Sequence, residues 1–468
     1  MIDAGELGPL VERWLPIQRW FGGKGRSASV GIVALAMLAE GPPQVEVWLA
    51  EVRYDDGTAE MYQLPLVAHT EPVETLEHVL LGSIKTDDSP WWIYDALHDK
   101  DVTSTWLDGV RHAGADGVGA GVGDGPLHFT RYVDQSEVPS GVASLALSGE
   151  QSNTSLVYGD VAILKVFRRL QPGVNPDIEI HAALGARGGR HIARLLGSMS
   201  AELDGQHYAL AMLQEFMTTA TDGWELAKAS VRDLMAEGDL HAEEAGGDFA
   251  GEAHRLGVAI AQTHADLADA FGVSSAASSE LRARALAMTA RLEHAVLVVP
   301  ELEALSGGLR ATYGALAELE QDVPLQRIHG DLHLGQALRT VHRWVIIDFE
   351  GEPMADLAAR RHPDSAMRDV AGMLRSLEYA AHHRVIETGL DAQLSYRATE
   401  WAHRNRDAFC TGYAEEAGHD PRSQATLLRA FEADKAVYEA VYEARNRPSW
   451  LPIPLASLTR LADQEDST

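Results

Sequence analysis

Ile328-His329-Gly330-Asp331-Leu332-His333-Leu334-Gly335-Gln336 is the most informative run in the chain. After a turn at Val341–Arg343 it is answered by Trp344-Val345-Ile346-Ile347-Asp348-Phe349-Glu350-Gly351-Glu352-Pro353. Two short strand-like segments flank the first run, and the apolar strand Val345–Ile347 ends on Asp348. A loop of this kind places Asp331 at its tip and turns the amide of Gln336, five residues on, back toward the same space. The strand delivers Asp348 from the other side. One carboxylate to take a proton and two oxygen ligands for a hard divalent cation are what phosphoryl transfer to a hydroxyl requires. His329 and His333 read alternatively as core side chains or as a zinc pair four residues apart. Gly330 interrupts the helix such a pair needs, and no HExxH is present.

Kinases set a catalytic aspartate, an amide five residues later and a metal-binding aspartate at this spacing. A second element of that pattern lies upstream. Val161-Ala162-Ile163-Leu164-Lys165-Val166-Phe167 is an apolar strand carrying one lysine. Burying a lone lysine is costly unless it meets an anion. A lysine so placed pairs with nucleotide phosphates and is held by a carboxylate from the next helix. Glu179, just inside a helix that starts at Pro176, is the candidate. The partner strand, Ser155–Tyr158, joins through Gly159-Asp160 as a hairpin. Before it, Gly149-Glu150-Gln151-Ser152-Asn153-Thr154-Ser155 stands where a phosphate cover is expected. It has one glycine, so Ser152, Asn153 and Thr154 would cap phosphate oxygens with hydroxyl and backbone N–H groups.

At this point the sequence resembles the aminoglycoside-phosphotransferase-like kinases, through His329-Gly330-Asp331-x-His333 and Asp348-Phe349-Glu350. It is more similar still to the actinobacterial maltokinases, through Glu150–Arg169, Val231–Gly251, Gln326–Pro353, Asp434–Pro454 and the N-terminal Gln18-Arg19-Trp20-Phe21. The resemblance implies an α+β, bilobal protein-kinase-like fold with an N-terminal β-rich cap subdomain and a mostly helical C-terminal lobe. It implies ATP and magnesium, and transfer to the anomeric hydroxyl of maltose to give maltose 1-phosphate for α-glucan synthesis. Asp331 would be the catalytic base or orienter, within a catalytic motif that includes His333. Gln336, Asp348 and Glu350 would be the metal ligands, and Lys165 the phosphate lysine. Gln214, Glu215 and Met217 would form the hinge against adenine through their backbone. Lys435, Tyr438, Glu439 and Tyr442 have helical spacing; from spacing alone they also fit a solvated amphipathic face. The resemblance assigns them to the acceptor, with Trp450 as a wall. Family members associate with trehalose synthase, which here would be a separate subunit. The other readings are a kinase for glucosamine or an aminoglycoside, and a nucleotide-binding pseudokinase.

The remaining features set bounds. The 468 residues suggest two or three domains, divided as a cap at 1–90, a nucleotide-binding and hinge region at 91–217 and a helical region at 218–468. With 39 Lys and Arg against 69 Asp and Glu, the net charge of −30 disfavours nucleic acid and anionic membrane as partners. A single cysteine, Cys410, excludes an intrachain disulfide and fits the reducing cytoplasm. The acidic N-terminus is not a signal peptide, and no apolar run approaches the ~20 residues of a membrane span. Gly22-Gly23-Lys24-Gly25-Arg26-Ser27 lacks phosphate-loop spacing and reads as a tight basic turn. The seven glycines from Gly109 to Gly125 read as a surface linker.

Overall fold

The structure, a computed structural model, describes residues 2–85, 90–114, 120–121, 126–147, 152–236, 241–244, 247–352, 355–389 and 391–463. Pro353, Gly149–Gln151 and most of the glycine-rich linker lie outside these residues. The chain divides into two compact units, one of residues 1–185 and 193–218, the other of 186–192 and 219–468.

Unit 1 begins with helix α1 (Ala4–Trp14) and five antiparallel strands: β1 (Ala28–Ala39), β2 (Gln44–Tyr54), β3 (Ala59–His69), β4 (Leu80–Lys85) and β5 (Pro90–Asp95). Their order is β1-β2-β3-β5-β4. After α2 (Ser104–His112) comes a second antiparallel sheet. It is built from β6 (Ala120–Gly121), β7 (Leu127–Arg131), β8 (Ser144–Ala146), β9 (Asn153–Tyr158), β10 (Ala162–Phe167), β12 (Leu195–Leu203) and β13 (Gln206–Glu215). The short β11 (Arg169–Leu170) pairs with β3 of the first sheet, and α3 (Pro176–Gly185) follows it.

Strand β2 is buried along most of its length. Side chains of a strand alternate between faces, and here both faces are covered. Val45, Val47 and Leu49 enter the core shared with the second sheet. Trp48, Ala50 and Val52 enter a separate core under α1, with Leu7, Val11, Trp14 and Phe21. Lys24 and its glycines form the expected turn, and the lysine Nζ donates to the Arg19 carbonyl.

Unit 2 is mainly helical, with α4 (Gly223–Ala236), α5 (Ala250–Phe271), α6 (Ser278–Val298), α7 (Ser306–Ala317), α8 (Leu357–Arg360), α9 (Ala366–Thr388), α10 (Ala392–Ala417), α11 (Ala425–Asn446) and α12 (Pro452–Asp463). Five short strands accompany them. Of these, β14 (Thr221–Asp222), β17 (Ala337–Arg339) and β18 (Trp344–Ile346) form one small sheet, and β15 (Val273–Ala276) and β16 (Val323–Gln326) form another. The run from Ile328 to Gln336 leaves β16, and Asp348 leaves β18, so this minimal framework fixes both halves of the motif. Mixed α+β architecture with a strand-rich first half and a helical second half is the kinase-like fold. Among the described residues, no helix is long and apolar enough to cross a membrane.

One buried charge pair staples unit 1. The Arg168 guanidinium is fully buried, its Nη2 lying 2.5 Å from Asp95 Oδ2 and its Nε donating to Thr154 Oγ1 at 2.8 Å. Removing one member of a buried pair leaves an uncompensated charge, at a cost of about 3–5 kcal/mol. Asp95→Ala is therefore expected to destabilise the protein by that amount in urea denaturation. A loss below ~1 kcal/mol, the range of exposed pairs, would show that the pair is solvated.

Candidate active site

The loop that carries Asp331 is held from beneath by α9. Asp369, buried in its first turn, accepts the backbone N–H of His329 (2.7 Å) on one carboxylate oxygen and that of Gly330 (2.9 Å) on the other. His264 Nε2 lies 3.2 Å from the same carboxylate, and its Nδ1 meets the Tyr413 hydroxyl at 2.9 Å. Burial pushes the Asp369 carboxyl up, but these donors outweigh it and hold the group below its ordinary value. Three residues on, a Cβ at Gly372 would stand 2.5 Å from the Leu332 carbonyl oxygen, so only glycine permits this approach. Ser376 then receives the Leu334 N–H at 3.0 Å. Asp369, Gly372 and Ser376 share one helical face by their spacing.

Gly330 turns the loop at φ +83°, a conformation that favours glycine, and a side chain there would also press on Gly351. His329 is locked: Nε2 donates to the Ile347 carbonyl (2.9 Å), while Nδ1 accepts from Asp331 N (3.3 Å). His333 caps the next 3₁₀ turn by accepting Gly335 N–H at Nδ1 (3.1 Å). That bond requires a bare Nδ1, and burial pushes the ring pKa down, so His333 stands as a neutral Nε2–H donor. Neither ring is arranged as a zinc ligand.

Asp331 and His333 line a cavity of about 1110 Å³ within unit 2, together with Lys435, Tyr438, Glu439 and Tyr442 of α11. The helix thus turns one side toward this cavity. Lys435 Nζ donates to Asp331 Oδ1 at 2.9 Å. Burial would raise the Asp331 carboxyl. The surroundings, Lys435 foremost, outweigh it, and the carboxyl stays below its ordinary value. Lys435 is raised in turn: burial works against its charge, and Asp331 and Glu439 outweigh it.

Glu439 lines the same cavity and has a structural partner as well. Its carboxylate accepts two bonds from the buried Arg375, Nη2 at 2.7 Å and Nε at 3.0 Å, so it braces α11 against α9. The other carboxylates on the cavity wall are likewise occupied. Asp434 pairs with Arg291 (2.6 Å), Asp364 with Arg284 (2.8 Å), Glu352 with Arg368 (2.8 Å), Glu443 with Arg447 (2.6 Å) and Glu225 with Lys228 (2.7 Å). Asp222 and Glu280 accept backbone N–H groups at the starts of α4 and α6.

Gln336 and Asp348 meet: Gln336 Nε2 donates to Asp348 Oδ2 at 3.0 Å, which turns its Oε1 away as a further ligand atom. Asp348 holds φ +66°, a strained conformation for a residue with a side chain and one that concentrates at functional sites. Carboxylate oxygens of Asp348 and Glu350 lie within 4.8 Å of each other. Two carboxylates and an amide oxygen are hard donors that fit magnesium.

In unit 1, Lys165 Nζ stands 3.6 Å from Asp177 Oδ2, and both side chains are largely buried. The sequence pointed to Glu179. Two residues span about 200° of helix, and Glu179 lies against a separate cavity with Tyr132, Ser198 and His207. The expected phosphate cap is also revised. Thr154 is a buried strand residue whose hydroxyl serves Arg168, and Asn153 opens β9 opposite Phe167, leaving Ser152 exposed ahead of the strand. Gln214 and Glu215 close β13, and Phe216 N–H donates to the Val161 carbonyl (2.9 Å). Among the described residues, neither the N–H nor the carbonyl of Met217 has a hydrogen-bond partner. One donor and one acceptor on adjacent backbone atoms fit the edge of an adenine.

Residues 14–99 match the maltokinase N-terminal cap domain. The chain is 30% identical over 325 residues to a glucosamine kinase of Mycolicibacterium smegmatis, covering 68% of this chain and 79% of that one. It is 32% identical over 325 residues to a glucosamine kinase of Streptacidiphilus jiangxiensis, covering 67% and 72%. A glucosamine kinase solved with glucosamine, ADP and inorganic phosphate superimposes with a TM-score of 0.69 over 98% of this chain and 100% of its own, at 23% identity.

The Lys435–Asp331 pair predicts a pH effect. With Lys435→Met the largest influence opposing the burial of Asp331 is lost, and its pKa rises. The acid limb of turnover against pH is therefore expected to move to higher pH. Its stabilising contribution, present above the unfolded pKa and lost as pH falls through the folded one, shrinks in step. An unmoved limb would remove the charge on Asp331 from the rate-determining ionisation.

Proposed function

We propose that this chain, which belongs to the glucosamine kinase family and is a sugar or aminosugar kinase, takes a neutral sugar as its acceptor, specifically maltose at its anomeric hydroxyl, with ATP as donor and magnesium as the metal. The observation that carries the reading is the pairing of charge around the acceptor cavity. An ammonium-bearing acceptor calls for a carboxylate in need of a cation. Here the carboxylates on the wall already hold arginine, lysine or helix N–H groups, and Lys435 occupies the cation position beside Asp331. The wall also carries Trp224, Tyr379, Phe431, Tyr438, Tyr442 and Trp450, whose faces suit the C–H surfaces of pyranose rings.

Asp331 would receive the acceptor hydroxyl and orient it. Its depressed pKa makes it an anionic acceptor of the hydrogen bond and a late recipient of the proton. The relatively acidic anomeric hydroxyl suits so weak a base. Lys165 would meet the phosphates, and Met217 the adenine edge. Gln336, Asp348 and Glu350 would hold magnesium, which supplies charge neutralisation for the phosphates. A second reading, glucosamine as acceptor, is favoured by the names of the two relatives.

Two measurements test these assignments. Asp348→Asn keeps the shape and suits the positive φ but removes the charge. It is expected to abolish magnesium-dependent turnover, with Gln336→Ala milder because an amide coordinates without neutralising. An unchanged magnesium titration in Asp348→Asn would put the metal elsewhere. Separately, maltose, glucose, glucosamine and an aminoglycoside are compared as acceptors, with phosphorus NMR of the product. Maltose is expected to give the highest kcat/KM and an anomeric phosphate. A higher value for glucosamine would establish the second reading in its place.

A further inference from the structure

A second cavity, of about 470 Å³, lies within unit 1 against α3, and Lys165 is not among its lining residues. Its size falls in the ~300–1,000 Å³ range of small-molecule sites. The gap exists because small side chains meet there. Ala182 and Ala183 of α3 share the lining with Ser198 and Ser200 of β12 and Ala209 of β13, where larger residues would close it. Strand β12 contributes three successive residues, Ser198, Met199 and Ser200. A regular strand would send the middle one to the opposite face. The register against β13 slips between Met199 and Ser200, and an irregularity of this kind re-aims side chains, often beside a functional site.

The chemistry of the lining selects a class of guest. Met199 and Ile178 supply apolar surface, and Tyr132 and Val174 stand exposed at the rim. The Tyr132 hydroxyl and Ser198 Oγ are 3.4 Å apart, longer than a good O–H···O bond of ~2.5–3.0 Å, so both keep bonding capacity toward a guest. The ionisable groups are Glu179 and His207, whose Nδ1 donates to Glu202 at 2.8 Å. Among the described residues the lining carries no lysine or arginine. A phosphorylated or carboxylated guest needs such cations, whereas an ammonium finds a carboxylate. A carboxylate has about four lone-pair positions, so Glu179 can accept from an ammonium alongside its contacts within the protein. The helix that carries Glu179 has a second working side. Asp177, 1% exposed, turns inward to Lys165 Nζ at 3.6 Å. A guest that fills the gap ties α3 to the sheet, and Asp177 with it.

We propose that this cavity is an effector site for a small organic ammonium with an apolar body, and that its occupancy tightens nucleotide binding by holding α3 and, through Asp177, the position of Lys165. Glu179 receives the ammonium, and the apolar body lies on Met199 and Ile178. The coupling rests on the reading of Lys165 as the phosphate lysine; the site itself does not.

The test is ligand-observed NMR titration of the full-length protein with phenethylamine, phenethyl alcohol and phenylpropionate, with and without saturating ADP. Wild type is expected to bind phenethylamine with a Kd of about 1 mM, as weakly as so small a probe requires. The alcohol should bind about tenfold more weakly, and phenylpropionate not at all. Glu179→Gln should weaken the amine by about tenfold and leave the alcohol unchanged. Ala182→Trp, which fills the gap, should remove both; if that variant does not fold, Glu179→Gln carries the test. ADP should tighten the amine by about fivefold, and by linkage a saturating amine should tighten ADP by the same factor in calorimetry. An amine signal that survives both substitutions, equal binding of the amine and phenylpropionate, or no amine binding at all would overturn the site. Amine binding indifferent to ADP would overturn its regulatory role. Undiminished ADP affinity in Lys165→Met would instead overturn the reading of Lys165, and with it the route of the coupling.

Discussion

The Asp369 carboxylate is the contact on which the catalytic half of the molecule depends. A loop that must aim Asp331 has no regular hydrogen-bond ladder of its own, and its backbone N–H groups need partners from elsewhere. Asp369 takes two of them, one on each oxygen, and is itself kept charged in a buried setting by His264. Because it sits in a long helix, the geometry it imposes is transmitted at fixed spacing. Gly372 admits the loop backbone, Ser376 holds the next N–H, and Tyr379 and His383 continue the same face into the aromatic wall. The Asp331 loop and the far wall of the cavity are therefore both held by one helix. A shift of α9 would displace both together.

The second constraint is charge burial. Arg375 and Glu378 are almost wholly enclosed. Arg375 bonds both Glu378 and Glu439, and Glu378 also receives Arg460 and the Ser457 hydroxyl. Burial opposes the charge on Glu378, but the surrounding arginines hold it ionised, with a pKa lowered to about 2. Such pairs are weak contributors to net stability but strict about geometry, since losing one partner strands the other. Here the network locks α9, α11 and α12 behind the acceptor cavity. Through Glu439 it ties α11 to α9 four residues from Lys435.

How much of this the sequence discloses depends on the range of the interaction. Asp331, Gln336 and Asp348 were legible because their chemistry follows from spacing inside one loop and one strand. Lys165 was legible because a lysine in an apolar strand demands an explanation. Its partner was not: Asp177 and Glu179 both lie in the first turn of α3, and only the helical phase, fixed by packing, selects Asp177. Thr154 looked like a loop hydroxyl because nothing local reveals Arg168, which arrives from the next strand. The bond of Glu439 to Arg375 was hidden because it crosses sixty-four residues. Asp369 left one faint trace, an acidic, small and hydroxyl series at i, i+3 and i+7 along one face of its helix. Polar groups on the buried face of a helix are expected to be supporting something.

Lys435 binds the two open aspects of the chemistry, base strength and acceptor charge, into one. Its ammonium offsets the burial of Asp331, and it occupies the position that an acceptor cation would take. The two effects have a single source, so they cannot be tuned apart. An acceptor with its own ammonium at that place would meet like charge, a repulsion that counts for several kcal/mol when it is desolvated in a specific site. If the lysine were absent, the same ammonium would find a partner in Asp331 and would itself supply the missing compensation. On this framework a kinase for aminosugars can thus delegate the compensating charge to its substrate, whereas a kinase for neutral sugars must carry it in the chain. In this chain the charge that faces Asp331 from α11 is positive, and it is set by Lys435.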